Sequence, residues 1–307
     1  MEKPRFTLAL LHPRHWLLWL GIILWWLISQ LPYPCLRGLA RVLTPVLRKV
    51  GKSRRRIISR NLELCFPQLT SAERDKLLDD NFFSTSMALF ETGMAWFLPR
   101  WRLRRLFTIE GLEHLQQEDG QGVILMAMHF TTLDIGAAFL NMSASIDGMY
   151  RPHKNPVFDY VQRKGRERHS HNTEVIPRED VRGMIRALKR GRAIWYAPDQ
   201  DYGPKQSVFA PFFGVEAASV TATAKFARLG KARVVPFVQT RLPGSQGYKV
   251  TIYPALQAFP VGDERDDAQR INGFIEDRIN EQPEQYLWAH RRFKTRPPGE
   301  PSLYKRA

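Results

Sequence analysis

The sequence has few cysteines and lacks the clusters that a metal or redox site would need. Its 307 residues contain two, Cys35 and Cys65. Neither lies in a Cys-x-x-Cys pair or beside histidines at metal-ligand spacing. This excludes a disulfide scaffold and favours a reducing compartment. Internal repeats, low-complexity tracts and proline-rich linkers are also missing, so the chain is predicted to be globular rather than disordered or collagen-like.

Acidic residues are nearly missing from the first part of the chain. Residues 1–60 hold 12 Lys and Arg and one acid, whereas residues 61–307 hold 34 and 29, so most of the net charge of +16 lies near the N-terminus. A basic excess of this kind indicates an anionic partner, which is nucleic acid, a membrane surface or an acidic substrate. Composition alone does not choose among the three.

An uncharged run with four tryptophans, Trp16–Leu31, lies inside the basic region. Sixteen helical residues extend about 24 Å, which is shorter than the ~30 Å hydrocarbon core of a bilayer. The run is therefore expected either to span a membrane with help from its flanks or to lie in the interface, where tryptophan is favoured. A cleaved signal peptide is disfavoured because residues 29–34 offer no small-residue cleavage site.

The stretch Leu36–Arg60 carries nine basic residues and no acid, interleaved with leucine and valine. Beside an apolar anchor, such a stretch predicts attachment to anionic headgroups, at about 1 kcal/mol for each basic residue near the surface. It has no aromatic residues on which bases could stack, which favours lipid over nucleic acid. Residues 1–60 are therefore interpreted as a membrane anchor with a basic amphipathic segment, and the positive-inside rule places the following body in the cytoplasm.

From about Phe107 onward, short aliphatic runs alternate with amphipathic helical patterns. This alternation predicts an α/β fold, with a mostly parallel sheet flanked by helices. Strands are predicted at residues 123–128, 148–150, 174–176, 193–197, 234–239 and 249–253, and helices at 132–141, 156–168, 181–190, 219–229 and 266–281. Residues 61–105 are predicted to be a helical lead-in, with a helix start near Ser71, so 61–307 is interpreted as one domain.

His129 and Asp134 form the most informative constellation. His129 follows the predicted strand 123–128 and Asp134 opens the next helix, at the sheet edge where α/β proteins place their sites. A carboxylate can orient an imidazole whose other nitrogen accepts a proton, which predicts a base for activating a hydroxyl. The alternative is that Asp134 only stabilises a helix N-terminus. No nucleophile-elbow Ser or Cys is nearby, which favours direct proton abstraction over a covalent intermediate.

The His-x-x-x-x-Asp pattern after a membrane anchor resembles the lysophospholipid acyltransferase superfamily. Five further stretches resemble the late acyltransferases of bacterial lipid A synthesis, in particular the lauroyl and palmitoleoyl type. These stretches are Leu10–Arg14, Arg60–Pro67, Glu91–Trp96, Tyr196–Gly203 and His290–Pro297. The resemblance covers nearly the whole chain and implies a glycerolipid-acyltransferase-like fold with an N-terminal membrane helix.

The resemblance implies transfer of a fatty acyl chain, of about C12 to C16, from acyl carrier protein to a 3-hydroxyacyl chain of the Kdo-bearing tetraacyl lipid A precursor. In that scheme His129 takes the hydroxyl proton and Asp134 holds the imidazole, and no metal or organic cofactor is needed. The implied partners are the carrier protein, anionic membrane lipid and the lipid precursor, without nucleic acid. The implied location is the cytoplasmic side of the bacterial inner membrane.

Five further residues are candidates for substrate binding. Arg151 follows the predicted strand 148–150 and suits a phosphate. Asp199 and Asp201 follow the strand that ends at residue 197 and are expected to organise basic residues and their loop. Glu91, on an apolar helical face, predicts a buried partner such as Arg or His. Arg291 belongs to a basic C-terminal cluster that faces either an anionic partner or solvent.

A second basic cluster, Arg163, Lys164, Arg166 and Arg168, has the same two interpretations, and His169 and His171 beside it are expected to be exposed. Two alternative functions stay open. One is acylation of a glycerolipid by the same base, and the other is a membrane-anchored protein that binds lipid or nucleic acid without catalysis.

Overall fold

The computed structural model describes residues 5–116, 120–150, 152–170, 172–173, 175–177 and 179–304. The N-terminal third of this part is helical. Its helices are α1 (Trp16–Ser29), α2 (Tyr33–Val50), α3 (Lys52–Cys65), α4 (Ser71–Phe97) and α5 (Arg100–Leu103). The start of α4 at Ser71 matches the sequence prediction. Thr70 caps it, since the hydroxyl accepts from the Glu73 N–H while the Glu73 carboxylate accepts from the Thr70 N–H.

Helix α1 is the apolar run predicted as the membrane segment, and it is 14 residues long. Across the described residues, no helix is long and apolar enough to cross a membrane. One side of α1 packs on α4. Trp25 Nε1 donates to the Leu89 carbonyl at 3.0 Å, and a Cβ on Gly93 would lie 2.1 Å from Ser29 Oγ, so the two helices approach closely because residue 93 has no side chain.

The rest of the chain builds a seven-stranded sheet covered by helices. The strands are β1 (Phe107–Glu110), β2 (Val123–Met126), β3 (Ile146–Tyr150), β4 (Val175–Pro177), β5 (Ala193–Tyr196), β8 (Arg233–Arg241) and β9 (Tyr248–Ile252), and β6 (Ser207–Phe212) and β7 (Val215–Val220) form a separate hairpin. The helices are α6 (Leu133–Asn141), α7 (Pro156–Glu167), α8 (Val181–Lys189), α9 (Ala222–Gly230) and α10 (Glu264–Glu281).

The strand order is β1-β9-β8-β2-β5-β3-β4. All neighbours are parallel except β8 and β9. This confirms the predicted mostly parallel α/β sheet. Alternate residues of β2 enter two separate cores, since Val123 and Leu125 pack with α1, α4 and α6, whereas Ile124 and Met126 pack with α3, α8 and α10. The central strands are therefore buried on both faces, as parallel sheets are.

The predicted start of the helix at residue 219 is too early compared with the structure. Residues 215–220 are strand β7, and α9 starts only at Ala222. The hairpin β6–β7 turns through Phe213 and Gly214, both with positive φ, which is the geometry of a two-residue hairpin turn. The sequence pattern for this hairpin is weak because Phe213 stands before the glycine, where Asn or Asp is usual.

Candidate active site

The centre of the sheet brings a histidine and an aspartate together. In the register between parallel neighbours β2 and β5, Met126 lies opposite Tyr196. His129 lies three residues after Met126, and Asp199 lies three residues after Tyr196. The segments that follow β2 and β5 therefore leave the carboxyl edge of the sheet next to each other. Sites in open α/β sheets gather at that edge.

Asp199 holds His129 at two points. Its Oδ1 lies 2.6 Å from His129 Nδ1, and its Oδ2 accepts from the His129 backbone N–H at 2.8 Å. A carboxylate on Nδ1 fixes the tautomer that carries its proton there and leaves Nε2 as the acceptor. The other side of the loop is fixed by Leu287, whose N–H donates to the His129 carbonyl at 2.9 Å. The imidazole is thus preset in position and tautomer.

The environment favours the charged forms of both groups. Burial lowers the pKa of His129, but the Asp199 charge and hydrogen bond outweigh it, so this pKa lies above the ordinary 6.5. Burial likewise raises the pKa of Asp199, and His129 outweighs it, so that pKa lies below its usual value. The His129 side chain keeps 21% of its surface exposed whereas Asp199 has none. The pair therefore has one member that can reach a substrate.

Asp134 does not hold the imidazole, contrary to the sequence prediction. It lies in the first turn of α6 and accepts a hydrogen bond from Arg166 Nε at 2.9 Å. The reason is the strand order. Strand β5 lies beside β2, so Asp199 reaches His129 Nδ1, whereas Asp134 lies on α6 and faces α7. Asp134 thus binds a cation of the basic cluster 163–168 instead of the histidine.

His129, Asp134 and Arg166 all border one cavity of about 410 Å³. Most of its wall is apolar. The residues that line it include Trp96, Leu133, Ala137, Ala138, Leu140, Ile146, Met149 and Trp195. A concave cavity with a largely apolar wall and some polar lining groups is typical of a small-molecule or lipid-chain site.

The other sequence candidates lie elsewhere. Arg151 is outside the described residues. Asp201 is buried and accepts from the Thr295 N–H and hydroxyl, at 2.8 and 2.9 Å, so it fastens its loop to the C-terminal segment. The Arg291 guanidinium lies 5.8 Å from the Tyr304 ring. Neither Asp201 nor Arg291 borders the cavity.

Glu91 has the buried arginine partner that its apolar helical face predicts. Its carboxylate forms a two-point pair with Arg241, at 2.5 Å to Nε and 2.7 Å to one terminal nitrogen, and also accepts from Tyr248. Arg241 donates to Ser84 Oγ at 2.7 Å, and that hydroxyl lies 2.7 Å from Thr131 Oγ1. The pair therefore supports the loop that carries His129, although Glu91 itself does not border the cavity.

Sequence reasoning missed two features near the site. Arg166 was predicted only as one member of a basic cluster. The helical spacing of that cluster could have identified it, because this spacing turns Arg166 toward Asp134 and turns Lys164 and Arg168 away. His169 was also expected to be exposed, and this is wrong. The His169 side chain is 1% exposed because its Nε2 bonds to the Ala95 carbonyl at 2.8 Å.

Comparisons with known proteins find relatives along almost the whole chain. The chain is 46% identical to lipid A biosynthesis lauroyltransferase of Escherichia coli over 98% of this chain and 99% of the relative. It is 45% identical to lipid A biosynthesis palmitoleoyltransferase of Escherichia coli, over 98% of each chain. A solved 1-acyl-sn-glycerophosphate acyltransferase from Thermotoga maritima matches 80% of this chain and 94% of its own at 14% identity, with a TM-score of 0.36.

The family comparison covers almost the whole sequence. The model of the bacterial lipid A biosynthesis acyltransferase family matches residues 3–295, a range that includes α1, the sheet and every residue of the cavity. The chain therefore belongs to the bacterial lipid A biosynthesis acyltransferases.

Proposed function

We propose that this enzyme transfers a fatty acyl chain from acyl carrier protein to a 3-hydroxyacyl chain of the Kdo-bearing tetraacyl lipid A precursor. The observation that carries the proposal is the His129–Asp199 pair at the mouth of an apolar cavity. A base fixed in one tautomer suits a hydroxyl acceptor, and the apolar wall suits an acyl chain.

The chemistry needs only the residues of the site. His129 Nε2 removes the acceptor hydroxyl proton as the oxygen attacks the thioester carbonyl, while Asp199 stabilises the imidazolium that forms. The tetrahedral intermediate then collapses, its carbon–sulfur bond breaks, and the imidazolium returns the proton to the departing thiolate. The products are an ester and the free thiol of the carrier. Because a thioester is a more activated acyl donor than an oxygen ester, positioning and a base suffice.

Arg166 is the group we assign to the negative charge of that intermediate. Its Nε is used by Asp134, which holds the guanidinium at the cavity and leaves the terminal nitrogens as donors. A guanidinium held in advance at a developing oxyanion lowers the barrier without reorganisation. Asp134 is then a positioning residue for Arg166.

The cavity wall supports selection of chain length. Small residues, Ala137 and Ala138, lie beside larger ones, Leu140 and Ile146, on α6 and β3. One methylene more or less in such a cavity changes selectivity by about 1–3 kcal/mol. A chain of about C12 to C16 is the donor group that we assign.

The N-terminal helices support attachment to the cytoplasmic face of the inner membrane. The side of α1 away from α4 exposes large apolar side chains, including Leu17, Leu20, Leu24 and Leu27, and α2 exposes Val42, Val46 and Val50. An exposed apolar area of this kind, flanked by the basic residues of 37–60, is typical of an interfacial anchor. We propose that this face lies in the headgroup region.

The test uses purified enzyme, lauroyl acyl carrier protein, and two acceptors, the Kdo-bearing tetraacyl disaccharide and lysophosphatidic acid, with products identified by mass spectrometry. We expect acylation of the disaccharide and loss of about 10²–10⁴-fold in rate for His129→Ala. His114→Ala is the matched control, since His114 lies outside the cavity. Acylation of lysophosphatidic acid alone would favour the glycerolipid alternative, and full activity of His129→Ala would overturn the assigned base.

A further inference from the structure

A second cavity lies on the opposite side of α7 from the active site. Helix periodicity turns Gln162 and Arg166 toward the catalytic cavity, and turns Tyr160, Lys164 and Arg168 the other way. The second cavity, of about 570 Å³, lies between α7 and α1, and we call it the α1–α7 groove. Its α1 wall consists of Trp19, Ile22, Ile23 and Trp26.

The partition between the groove and the catalytic cavity is thin. Trp96 and Gly165 border both. A Cβ on Gly165 would lie 2.4 Å from Trp96 Cγ, so the indole packs directly on the α7 backbone. The groove is therefore separated by one side chain from the cavity that His129 borders.

The end of the groove is strongly basic. Arg168 borders both the groove and a third cavity of about 550 Å³, whose other charged lining residues are Arg100 and Arg104. We call these three residues the arginine site. Trp101 and His169 complete its wall, and no carboxylate borders this cavity in the described part of the chain. Arg100 donates to the Met142 carbonyl at 3.1 Å, and Arg104 and Arg168 are exposed. Guanidinium groups gathered at one cavity suit an anion of high charge density, such as a phosphate.

His169 adds an independent sign of a ligand. Its Nε2 bonds to the Ala95 carbonyl, while Nδ1 is buried and has no hydrogen-bond partner among the described residues. Buried polar atoms are almost always paired, so an orphan in a cavity wall indicates a missing partner. Burial, and then the charges of Arg168 and Arg100, lower the pKa of this histidine. A bound anion would reverse that repulsion and let Nδ1 donate to it.

We propose that the arginine site binds a phosphate of the acceptor lipid while the α1–α7 groove holds one of its acyl chains. The inference rests on the function proposed above. A lipid is favoured over the carrier protein because the anion site continues into an apolar groove. The outer wall of that groove is α1, whose opposite side carries the exposed leucines of the proposed membrane face. An amphiphile entering from the membrane meets the groove and the arginine site together.

The test of the arginine site is Arg104→Ala/Arg168→Ala, since Arg104 and Arg168 are exposed and no carboxylate in the described ranges pairs with them. Arg182→Ala/Arg228→Ala is the control, because it removes the same charge from exposed sites on α8 and α9. Kinetics are measured in detergent micelles with the bisphosphorylated acceptor and with each monophosphorylated form.

We expect the arginine-site variant to raise KM for the bisphosphorylated acceptor at least tenfold, with kcat nearly unchanged. For the monophosphate that lacks the bound phosphate, wild type and variant should differ less than twofold. An equal rise for all three acceptors would overturn the phosphate assignment, and a rise in KM for the carrier thioester would point to the carrier protein instead. Absence of transfer by the wild type would refute the proposed function itself, so the two failures are distinguishable.

The groove is tested by a matched pair on α1. Ile23 borders the groove and Leu20 does not, yet both are more than half exposed. In micelles, Ile23→Asp should raise KM for the acceptor at least fivefold more than Leu20→Asp does, because both substitutions weaken attachment of α1 to the micelle but only the first also places a charge in the groove. Equal effects of the two substitutions would show that α1 contributes only general attachment, and the groove assignment would be wrong.

Discussion

Asp199 and Glu91 are both buried against a basic side chain, and the two pairs differ in what that side chain can do. Asp199 is paired with His129, whose side chain keeps 21% of its surface exposed at the cavity. Glu91 is paired with Arg241, where the side chains are 1% and 5% exposed. The first pair can exchange a proton with a substrate. In the second pair the Arg241 guanidinium stays protonated, and neither side chain can reach a substrate.

The difference explains why the two pairs suit different tasks. Burying an ion pair gives little net stability because desolvation offsets the attraction, yet removing one partner is costly. The Glu91–Arg241 pair connects α4 to β8, and Arg241 supports Thr131 through Ser84. At His129 the same coupling is used to hold one tautomer and a raised pKa. Substitutions should therefore separate activity from stability.

The largest effect should come from Asp199→Asn. The variant removes the charge that stabilises the imidazolium and permits the wrong tautomer, so kcat should fall by about 10²–10⁴-fold. The measurement is the steady-state rate with saturating donor and acceptor. The variant should remain folded because the amide keeps an acceptor for the His129 N–H.

Asp201→Asn is the control for that substitution. Asp201 is also buried after β5, but it bonds to Thr295 and not to His129. It should lower the midpoint of thermal unfolding while leaving kcat within a few fold. Equal losses of kcat in the two variants would show that Asp199 has only a structural role.

The second effect is on stability. Arg241→Met leaves Glu91 buried without its cation, and this should lower the free energy of unfolding by about 3–5 kcal/mol. The exposed pair Lys225–Glu264 provides the comparison, since Lys225→Ala should cost under about 1 kcal/mol. Urea unfolding in detergent measures both. A similar small cost for the two variants would contradict the contrast drawn between buried and exposed pairs.

A smaller effect is expected when both partners are neutralised. In Glu91→Gln/Arg241→Met no buried charge remains, so most of the loss in Arg241→Met should be recovered, to within about 1–2 kcal/mol of wild type. The coupling energy follows from a double-mutant cycle with Glu91→Gln alone. Additive losses would show that the two residues stabilise the fold through their separate contacts with Tyr248 and Ser84.

The sequence predicted the sheet better than the contacts at its edge. The aliphatic run that begins at Val123 and the helix start near Ser71 are local signals, and both elements form. The partner of His129 was predicted as Asp134 because the two residues are close in the chain. The actual partner, Asp199, is 70 residues away and is selected by the β2–β5 pairing. That pairing depends on the strand order, which no local pattern of residues records.

The partner of Glu91 shows the same limit of prediction from sequence. An apolar helical face that carries one carboxylate predicts that a buried cation must exist, because an unpaired buried charge is too costly. It does not say which of 46 basic residues supplies it. Arg241 is 150 positions away and is identified only by the packing of α4 on β8.

The smallest effect is a shift in pH dependence, and it distinguishes the two pairs most directly. His129 must be neutral to accept a proton, so kcat/KM in wild type should fall tenfold per pH unit once the pH drops below its raised pKa. In Asp199→Asn the raising charge is gone and burial alone acts, so the pKa falls and the acid limb moves to lower pH. Arg241→Met should leave the limb in place, because Arg241 does not contribute to the His129 shift. A limb that stays fixed in Asp199→Asn, or moves in Arg241→Met, would show that the titrating base is not the His129–Asp199 pair.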